Sequence, residues 1–196
     1  MIKSIFGALA AVSILGIAMP AQAGEFRAGI WEHDAEFFDI GGSKGKETSA
    51  AVSLDYLWES PDWLSWADSP KPYVGALINL DGQTNFAGAG LEWQGRLTDN
   101  VYAIYAFGIS AHDGTKEVPS PNFETDPGVI NDLVNRKARE IEFGSAVLFR
   151  NAFGFGYNFS SDIGVELVWE HLSHAKIFDS VNEGIDNVGI RVSRSF

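Results

Sequence analysis

A two-residue alternation over long segments constrains the fold of this chain more than any other feature. In residues 163–173, one set of alternate positions is nearly all apolar, and the other set includes Glu166 and Glu170. Residues 186–196 repeat the same pattern. Since successive side chains of a β-strand point to opposite faces, we predict strands with one apolar face and one polar face.

Two architectures fit such strands, a soluble β-domain and a membrane β-barrel. Segment 86–97 places glycines and charges on one face, and the apolar stripes of 99–110 and 141–159 exceed ordinary strands of about 5–6 residues. Aromatic residues cluster near the segment ends, as interfacial girdles do, and the final Phe196 resembles the terminal aromatic signal of bacterial outer-membrane proteins. We therefore expect an all-β fold, a transmembrane β-barrel of the bacterial outer membrane whose apolar face contacts lipid.

An even number of strands is expected in such a barrel. The eight predicted strands are 25–37, 47–58, 72–80, 86–97, 100–110, 141–159, 162–174 and 185–196. The turns at 98–99 and 160–161 are tight, as periplasmic turns are, and the longer loops should face outward. The connection 59–71 is long although it is periplasmic by parity, and we interpret it as an interfacial aromatic turn. The eight strands should therefore be antiparallel, with both chain ends on the periplasmic side.

The longest connection, 111–140, is expected to be a solvated loop. The alternative is a short helix from Asp126 and Pro127 through Arg136, because aspartate caps helices and proline suits their first turn.

Residues 1–23 have the features of a cleaved secretory signal. Lys3 precedes an uncharged, mostly apolar stretch over 4–20, and Ala21 and Ala23 supply the small residues of a cleavage site. The alternative is an anchoring helix, but the stretch is shorter than the roughly 20 residues of a membrane span and contains glycine and proline. We expect cleavage after residue 23.

Composition excludes several classes of function for the remaining residues, 24–196, which suit a single β-barrel domain. The chain has a formal net charge of −12, so the phosphates of a nucleic acid would be repelled. It contains no cysteine, which excludes disulfides and thiolate chemistry. No second long apolar run follows residue 23, which excludes a helical membrane protein.

The candidate chemistry lies at the end of the seventh strand. His171 and Ser173 are two residues apart, so they share a face at a backbone separation of about 6–7 Å. The eighth strand returns antiparallel from Asp186, which by alternation points to the same outward, apolar face. A histidine can remove the serine proton near neutral pH, and a carboxylate can hold the imidazole in the required tautomer. The alternative is a set of ordinary interfacial polar residues at a strand end.

The spacing here is similar to that of a known family. His171 and Ser173, then Ala175, then Asn182, Gly184, Ile185 and Asp186 follow one another in the order of its active-site strand pair. This order resembles the PagL-type lipid A 3-O-deacylases, in the wider acyloxyacyl-hydrolase-like barrel family. The resemblance covers residues 171–196, and it implies an eight-stranded barrel with a site near the outer leaflet.

The resemblance implies that Ser173 is the nucleophile, His171 the base and Asp186 the orienting acid. This chain departs from the family pattern twice, because the family has glutamate at the position of Asp186 and often asparagine, implicated in the oxyanion hole, at that of His174. We therefore expect backbone N–H groups and Asn182 to serve the oxyanion. Gly184 is a further candidate for this binding role.

The position of His174 suggests a different role. By strand parity it points inward, and we expect it to position the loop.

No cofactor and no metal site are expected. His33 lies near Glu32, Asp34 and Glu36, and His112 precedes Asp113, but isolated acidic residues on a barrel rim are usually solvated. The resemblance implies lipid A of lipopolysaccharide as the substrate, in the outer membrane, and a homodimer stays open. Two other functions also stay open, a non-catalytic structural or adhesive barrel and a phospholipase barrel.

Overall fold

The protein forms a closed eight-stranded barrel. The computed structural model describes residues 24–37 and 40–196, so the predicted signal peptide lies outside the described residues. The strands are β1 (Gly24–His33), β2 (Ser49–Trp58), β3 (Lys71–Asn79), β4 (Phe86–Arg96), β5 (Val101–His112), β6 (Val147–Asn158), β7 (Ile163–Ser173) and β8 (Ile185–Ser195). Each strand pairs antiparallel with the next in sequence, and β8 pairs with β1. The predicted fold class is confirmed.

The alternation of each strand sorts its side chains between the two sides of the wall. On β7, Ile163 and Leu167 are exposed on the outside, whereas Glu166 and Glu170 are buried inside the barrel. An apolar exterior around a polar interior is the arrangement of a membrane barrel, not of a soluble sandwich. Among the described residues, no helix is long and apolar enough to span a membrane.

Salt bridges pair the charges inside the barrel. The fully buried guanidinium of Arg27 lies 2.7 Å from Glu25, 2.6 Å from Glu92 and 3.2 Å from Glu166. Arg191 lies 2.7 Å from the other oxygen of Glu166. Because a buried ion without a partner costs several kcal/mol, this pairing allows so many charges to occupy the interior.

The two ends of the barrel differ in their connections. Tight turns at 97–100 and 159–162 lie at one end, which by the rule for such barrels is periplasmic. Outer loops 1 to 4 lie at the other end and comprise 34–48, 80–85, 113–146 and 174–184.

Hydrogen bonds tie the outer loops to one another. The buried carboxylate of Glu47 in loop 1 accepts from Thr84 N at 3.2 Å in loop 2 and from Ile141 N at 3.3 Å in loop 3. Burial raises the pKa of Glu47, but the nearby His33 ring and the hydrogen bonds from Thr84 and Ile141 outweigh burial and lower that pKa. Glu47 is therefore held as an ionised acceptor that joins three parts of the outer end.

Two predicted strand boundaries are wrong by more than two residues. β6 begins at Val147 rather than at 141, because Ile141 and Phe143 are fully buried residues of outer loop 3 and do not belong to the wall. β1 ends at His33 rather than at 37, because Asp34 takes a left-handed φ of 53° that turns the chain into loop 1. In both places the two-residue pattern of the sequence continues beyond the end of the observed strand, so the pattern alone does not mark that end.

Loop 3 contains a helix, α1 (Pro127–Arg139), where we expected a solvated loop. The Asp126 carboxylate accepts from Gly128 N at 2.7 Å and from Val129 N at 3.4 Å, which caps the helix. Leu133 is buried and fastens α1 to the rest of the molecule. The alternative weighed from the sequence is therefore the correct one.

The long connection between β2 and β3 contains a 3₁₀ helix, Asp62–Ala67. Trp93, on the outer wall of β4, donates from Nε1 to the carbonyl oxygen of Ala67 at 2.7 Å, which holds the helix beside the lipid-facing surface. Trp63 and Trp66 are 70% and 82% exposed. Side chains three residues apart eclipse in a 3₁₀ helix, so the two indoles share one side.

Candidate functional site

The register of β7 and β8 places three predicted residues side by side on the outer wall, at the end that carries the outer loops. His171 and Asp186 are direct cross-strand partners. Ser173 lies two residues beyond His171 on the same face of β7 and pairs with Phe149 of β6. The structure thus brings Ser173, His171 and Asp186 together on the face that the sequence indicated.

Two short contacts connect these residues into one chain. His171 Nδ1 lies 3.0 Å from Asp186 Oδ1, and His171 Nε2 lies 3.0 Å from Ser173 Oγ. Since a carboxylate can only accept, Nδ1 carries the proton, which leaves Nε2 free to accept from the serine hydroxyl. This arrangement can deprotonate Ser173 and stabilise the resulting imidazolium.

Aromatic residues surround the site on the lipid-facing wall. The ring of Trp169 stacks on that of His171 with centroids 6.3 Å apart, and Phe153 stacks on Trp169 at 5.8 Å. On the other side of Ser173, Phe178 of loop 4 stacks on Phe149 at 6.0 Å. The serine therefore opens onto an apolar surface suited to hydrocarbon.

Loop 1 contacts the carboxylate from above. Gly41 N donates to Asp186 Oδ2 at 3.0 Å, and Ala35 N donates to the carbonyl oxygen of Asp186 at 2.7 Å. Sequence reasoning missed both contacts, because it extended the first strand through residue 37. The sequence signal for a turn in loop 1 was the pair of glycines at 41 and 42.

His174, Asn182 and Gly184 brace loop 4 around the site. His174 is fully buried, with Nε2 2.8 Å from the carbonyl oxygen of Val181, and its backbone N donates to Asn182 Oδ1 at 2.9 Å. Gly184 N donates to the carbonyl oxygen of Gly41 at 2.8 Å. The N–H group of Gly184 therefore already has an acceptor. The expectation that it binds the oxyanion is wrong.

Two other backbone donors lie just after the serine. Within the described part of the chain, the N–H groups of Ala175 and Lys176 have no hydrogen-bond acceptor. Both residues take left-handed backbone conformations, with φ of 53° and 58°. Non-glycine residues held in this region are strained, and such strain concentrates at functional sites. No sequence signal marks this turn, since neither residue is a glycine.

The remaining histidines occupy structural positions. His33 is buried with Nε2 3.5 Å from Glu47, and His112 Nε2 lies 2.6 Å from the carbonyl oxygen of Ser145. The described residues contain no cluster of three or more histidine, aspartate or glutamate side chains suited to a metal ion.

Comparisons with known proteins identify the family of this chain and proteins that share its fold. The family model described as lipid A 3-O-deacylase (PagL) matches residues 48–195. The crystal structure of the outer membrane enzyme PagL aligns with a TM-score of 0.57 at 13% identity, over 87% of this chain and 98% of that one. No curated protein matches the sequence.

Other barrels share the architecture. A de novo designed transmembrane β-barrel aligns with a TM-score of 0.51 at 8% identity, over 92% of this chain and 100% of that one. Neisserial surface protein A aligns with a TM-score of 0.50 at 9% identity, over 89% of this chain and 96% of that one. At such identities these likenesses show the fold alone, so only the family match bears on function.

Proposed function

Since this chain belongs to the lipid A 3-O-deacylase (PagL) family, a family of outer-membrane lipid A deacylases, we propose that Ser173, His171 and Asp186 hydrolyse the acyl ester at the 3-O position of lipid A. The observation that carries the proposal is the pair of 3.0 Å contacts that joins the three side chains on the lipid-facing wall. A serine esterase requires this order of nucleophile, base and acid.

The reaction proceeds through an acyl-enzyme. Ser173 Oγ attacks the ester carbonyl carbon while its proton passes to His171 Nε2. The tetrahedral intermediate then collapses with cleavage of the bond to the sugar oxygen, and Nε2 donates its proton to that oxygen, which leaves as a hydroxyl. A water molecule, deprotonated by the same nitrogen, then attacks the acyl carbon. Nε2 returns this proton to Ser173 Oγ as the bond to the acyl group breaks and the fatty acid leaves. Asp186 stabilises the imidazolium in both halves of the reaction.

The N–H groups of Ala175 and Lys176 are our candidates for the oxyanion hole. An oxyanion in a site with little water is stabilised by preorganised donors, each of which can contribute about 2.7–4 kcal/mol. These two groups follow Ser173 by two and three residues and have no acceptor among the described residues. They replace the asparagine of the family pattern, since His174 is buried and engaged with Val181.

The location of the site favours a lipid substrate that stays in the membrane. Ser173 lies on the outer wall, at the end with the outer loops, and the aromatic surface of Phe149, Phe153 and Trp169 continues from it. An acyl chain can pack on this surface while its ester reaches Ser173, so the lipid need not leave the bilayer. The outer leaflet of such membranes consists of lipopolysaccharide, which makes lipid A the accessible ester.

Mass spectrometry of lipid A tests the proposal. Cells that express the protein should contain lipid A lighter by one 3-O-linked hydroxy fatty acid than cells without the gene. The exposed Ser180 of loop 4 offers a matched control, because Ser180→Ala should keep this change and Ser173→Ala should lose it. Unchanged lipid A together with released phospholipid fatty acids would indicate a phospholipase. No change in either lipid would indicate a non-catalytic barrel.

A further inference from the structure

Loop 1 reaches the one oxygen of the Asp186 carboxylate that does not contact His171. We propose that Gly41 is a positioning residue, whose backbone N–H fixes the Asp186 carboxylate and through it the orientation of His171. This inference rests on the proposed function, because Asp186 must act as the orienting acid for Gly41 to matter in catalysis.

The two carboxylate oxygens have separate partners. Oδ1 lies 3.0 Å from His171 Nδ1, and Oδ2 accepts from Gly41 N at 3.0 Å. A carboxylate bound at one oxygen alone can still rotate about its Cβ–Cγ bond. The hydrogen bond from Gly41 N, together with one from the backbone of the neighbouring Ile40, removes that freedom and keeps Oδ1 directed at the imidazole. Aspartate has one fewer methylene group than the glutamate of the family pattern, and the approach of loop 1 fits this shorter side chain.

Only glycine fits at this position. A Cβ atom added at Gly41 would overlap the carbonyl carbon and oxygen of Gly184. Those are backbone atoms, so no change of rotamer relieves the overlap. Gly184 is confined in turn, because its own Cβ would lie 2.8 Å from His171 Cε1. The backbone of loop 1 thus packs against Gly184 of loop 4, and Gly184 packs in turn against the imidazole.

Loop 1 is also held by hydrogen bonds among its own residues. Ser43 Oγ donates to Asp34 Oδ1, Glu47 N donates to Asp34 Oδ2 at 2.8 Å, and Thr48 Oγ1 donates to the carbonyl oxygen of Asp34 at 3.0 Å. Burial raises the pKa of Asp34, although the hydrogen bonds from Ser43 and Glu47 oppose this shift. The loop therefore brings Gly41 to Asp186 as a braced element.

A double-mutant cycle between Gly41→Ala and Asp186→Asn tests the proposal, with kcat and KM measured on purified lipid A in detergent. Gly41→Ala in the otherwise unchanged protein should lower kcat by about ten- to a hundred-fold at nearly constant KM, because a misoriented base costs rate more than binding. In the Asp186→Asn background the same substitution should cost less than about three-fold, since residues that act as a unit are not additive. An equal loss in both backgrounds would overturn the proposal.

The matched control is Gly42→Asn. Gly42 has a φ of 76°, and a Cβ added there would meet no atom within 4 Å. Asparagine tolerates this backbone conformation, so activity should stay at the level of the unchanged protein. An inactive unchanged protein would refute the proposed function itself. An active unchanged protein with a fully active Gly41→Ala variant would refute only the role of Gly41.

A second measurement does not depend on the folding of Gly41→Ala. The amide resonance of Gly41, recorded by NMR in detergent micelles, should shift when Asp186 is changed to asparagine, because its acceptor loses charge. The amide of Gly42 should move much less. An unchanged Gly41 amide would show that the hydrogen bond is absent and would overturn the proposal.

Discussion

His171 and Asp186 are register partners on β7 and β8, and Ser173 lies just beyond the last residue pair that joins the two strands. The pairing of β7 with β8 therefore sets the relative position of the base and the acid, whereas the nucleophile lies at the end of β7, beyond this pairing. A slip of one residue between β7 and β8 would turn one partner to the interior and separate the pair. The catalytic arrangement that we propose thus depends on the register of the closed barrel, and the loops refine it.

His174→Asn should reduce stability more than it reduces chemistry. The change removes the ring contact with the carbonyl oxygen of Val181 and the acceptor for Phe178 N, so we expect a loss of about 1–3 kcal/mol for buried groups left unpaired. Urea unfolding monitored by heat-modifiable gel migration measures this loss. Activity at a temperature where the variant is folded should remain readily detectable.

That result would separate His174 from His171. His171→Asn should keep the stability of the unchanged protein within about 1 kcal/mol, because His171 is only partly buried, yet it should abolish turnover. If the folded His174→Asn variant were as inactive as His171→Asn, the assignment of the base would be wrong.

Arg27→Ala should strongly destabilise the barrel. Its guanidinium forms salt bridges with Glu25, Glu92 and Glu166, and removing one partner of a buried network typically costs about 3–5 kcal/mol. Arg96→Ala is the matched control, since Arg96 forms an exposed pair with Asp99, which should contribute about 1 kcal/mol or less. Urea unfolding in detergent compares the two. Equal unfolding midpoints for the two variants would contradict a stabilising role for the salt bridges of Arg27.

The 3₁₀ helix between β2 and β3 should anchor the barrel in the periplasmic leaflet. Tryptophan prefers the membrane interface, so the Trp63 and Trp66 indoles should be quenched by phospholipids brominated near the headgroup. Trp63→Phe combined with Trp66→Phe should remove much of that quenching. Trp31→Phe should not, because Trp31 lies inside the barrel and donates to Ser53 at 2.8 Å. Undiminished quenching in the double variant would place the helix away from lipid.

The sequence predicted the barrel and the face of the three site residues because both depend on a period of two residues. Apolar residues at Ile163 and Leu167 opposite Glu166 and Glu170 identify the strand and its two sides without any long-range contact. The same period placed His171 and Ser173 together, and the antiparallel return brought Asp186 beside them.

The outer loops could not be predicted in this way because long-range packing determines them. The alternation pattern predicted Ile141 and Phe143 as part of β6, yet both are buried residues of outer loop 3. The contact of Gly41 with Asp186 joins residues far apart in sequence and involves only backbone atoms of loop 1. The left-handed turn at Ala175 and Lys176 could not be predicted either, because neither residue type favours that backbone conformation.

The release of hydroxy fatty acid from purified lipid A by Ser173→Ala tests the central claim most directly. Ser173 Oγ is the proposed nucleophile, and its one hydrogen bond to the described residues is the 3.0 Å contact with His171, so the variant should fold into a heat-modifiable barrel. We predict no release above the rate without enzyme, against steady release by the unchanged protein and by Ser180→Ala. Release by Ser173→Ala at the rate of the unchanged protein would contradict the account, because no nucleophile would then remain at the site.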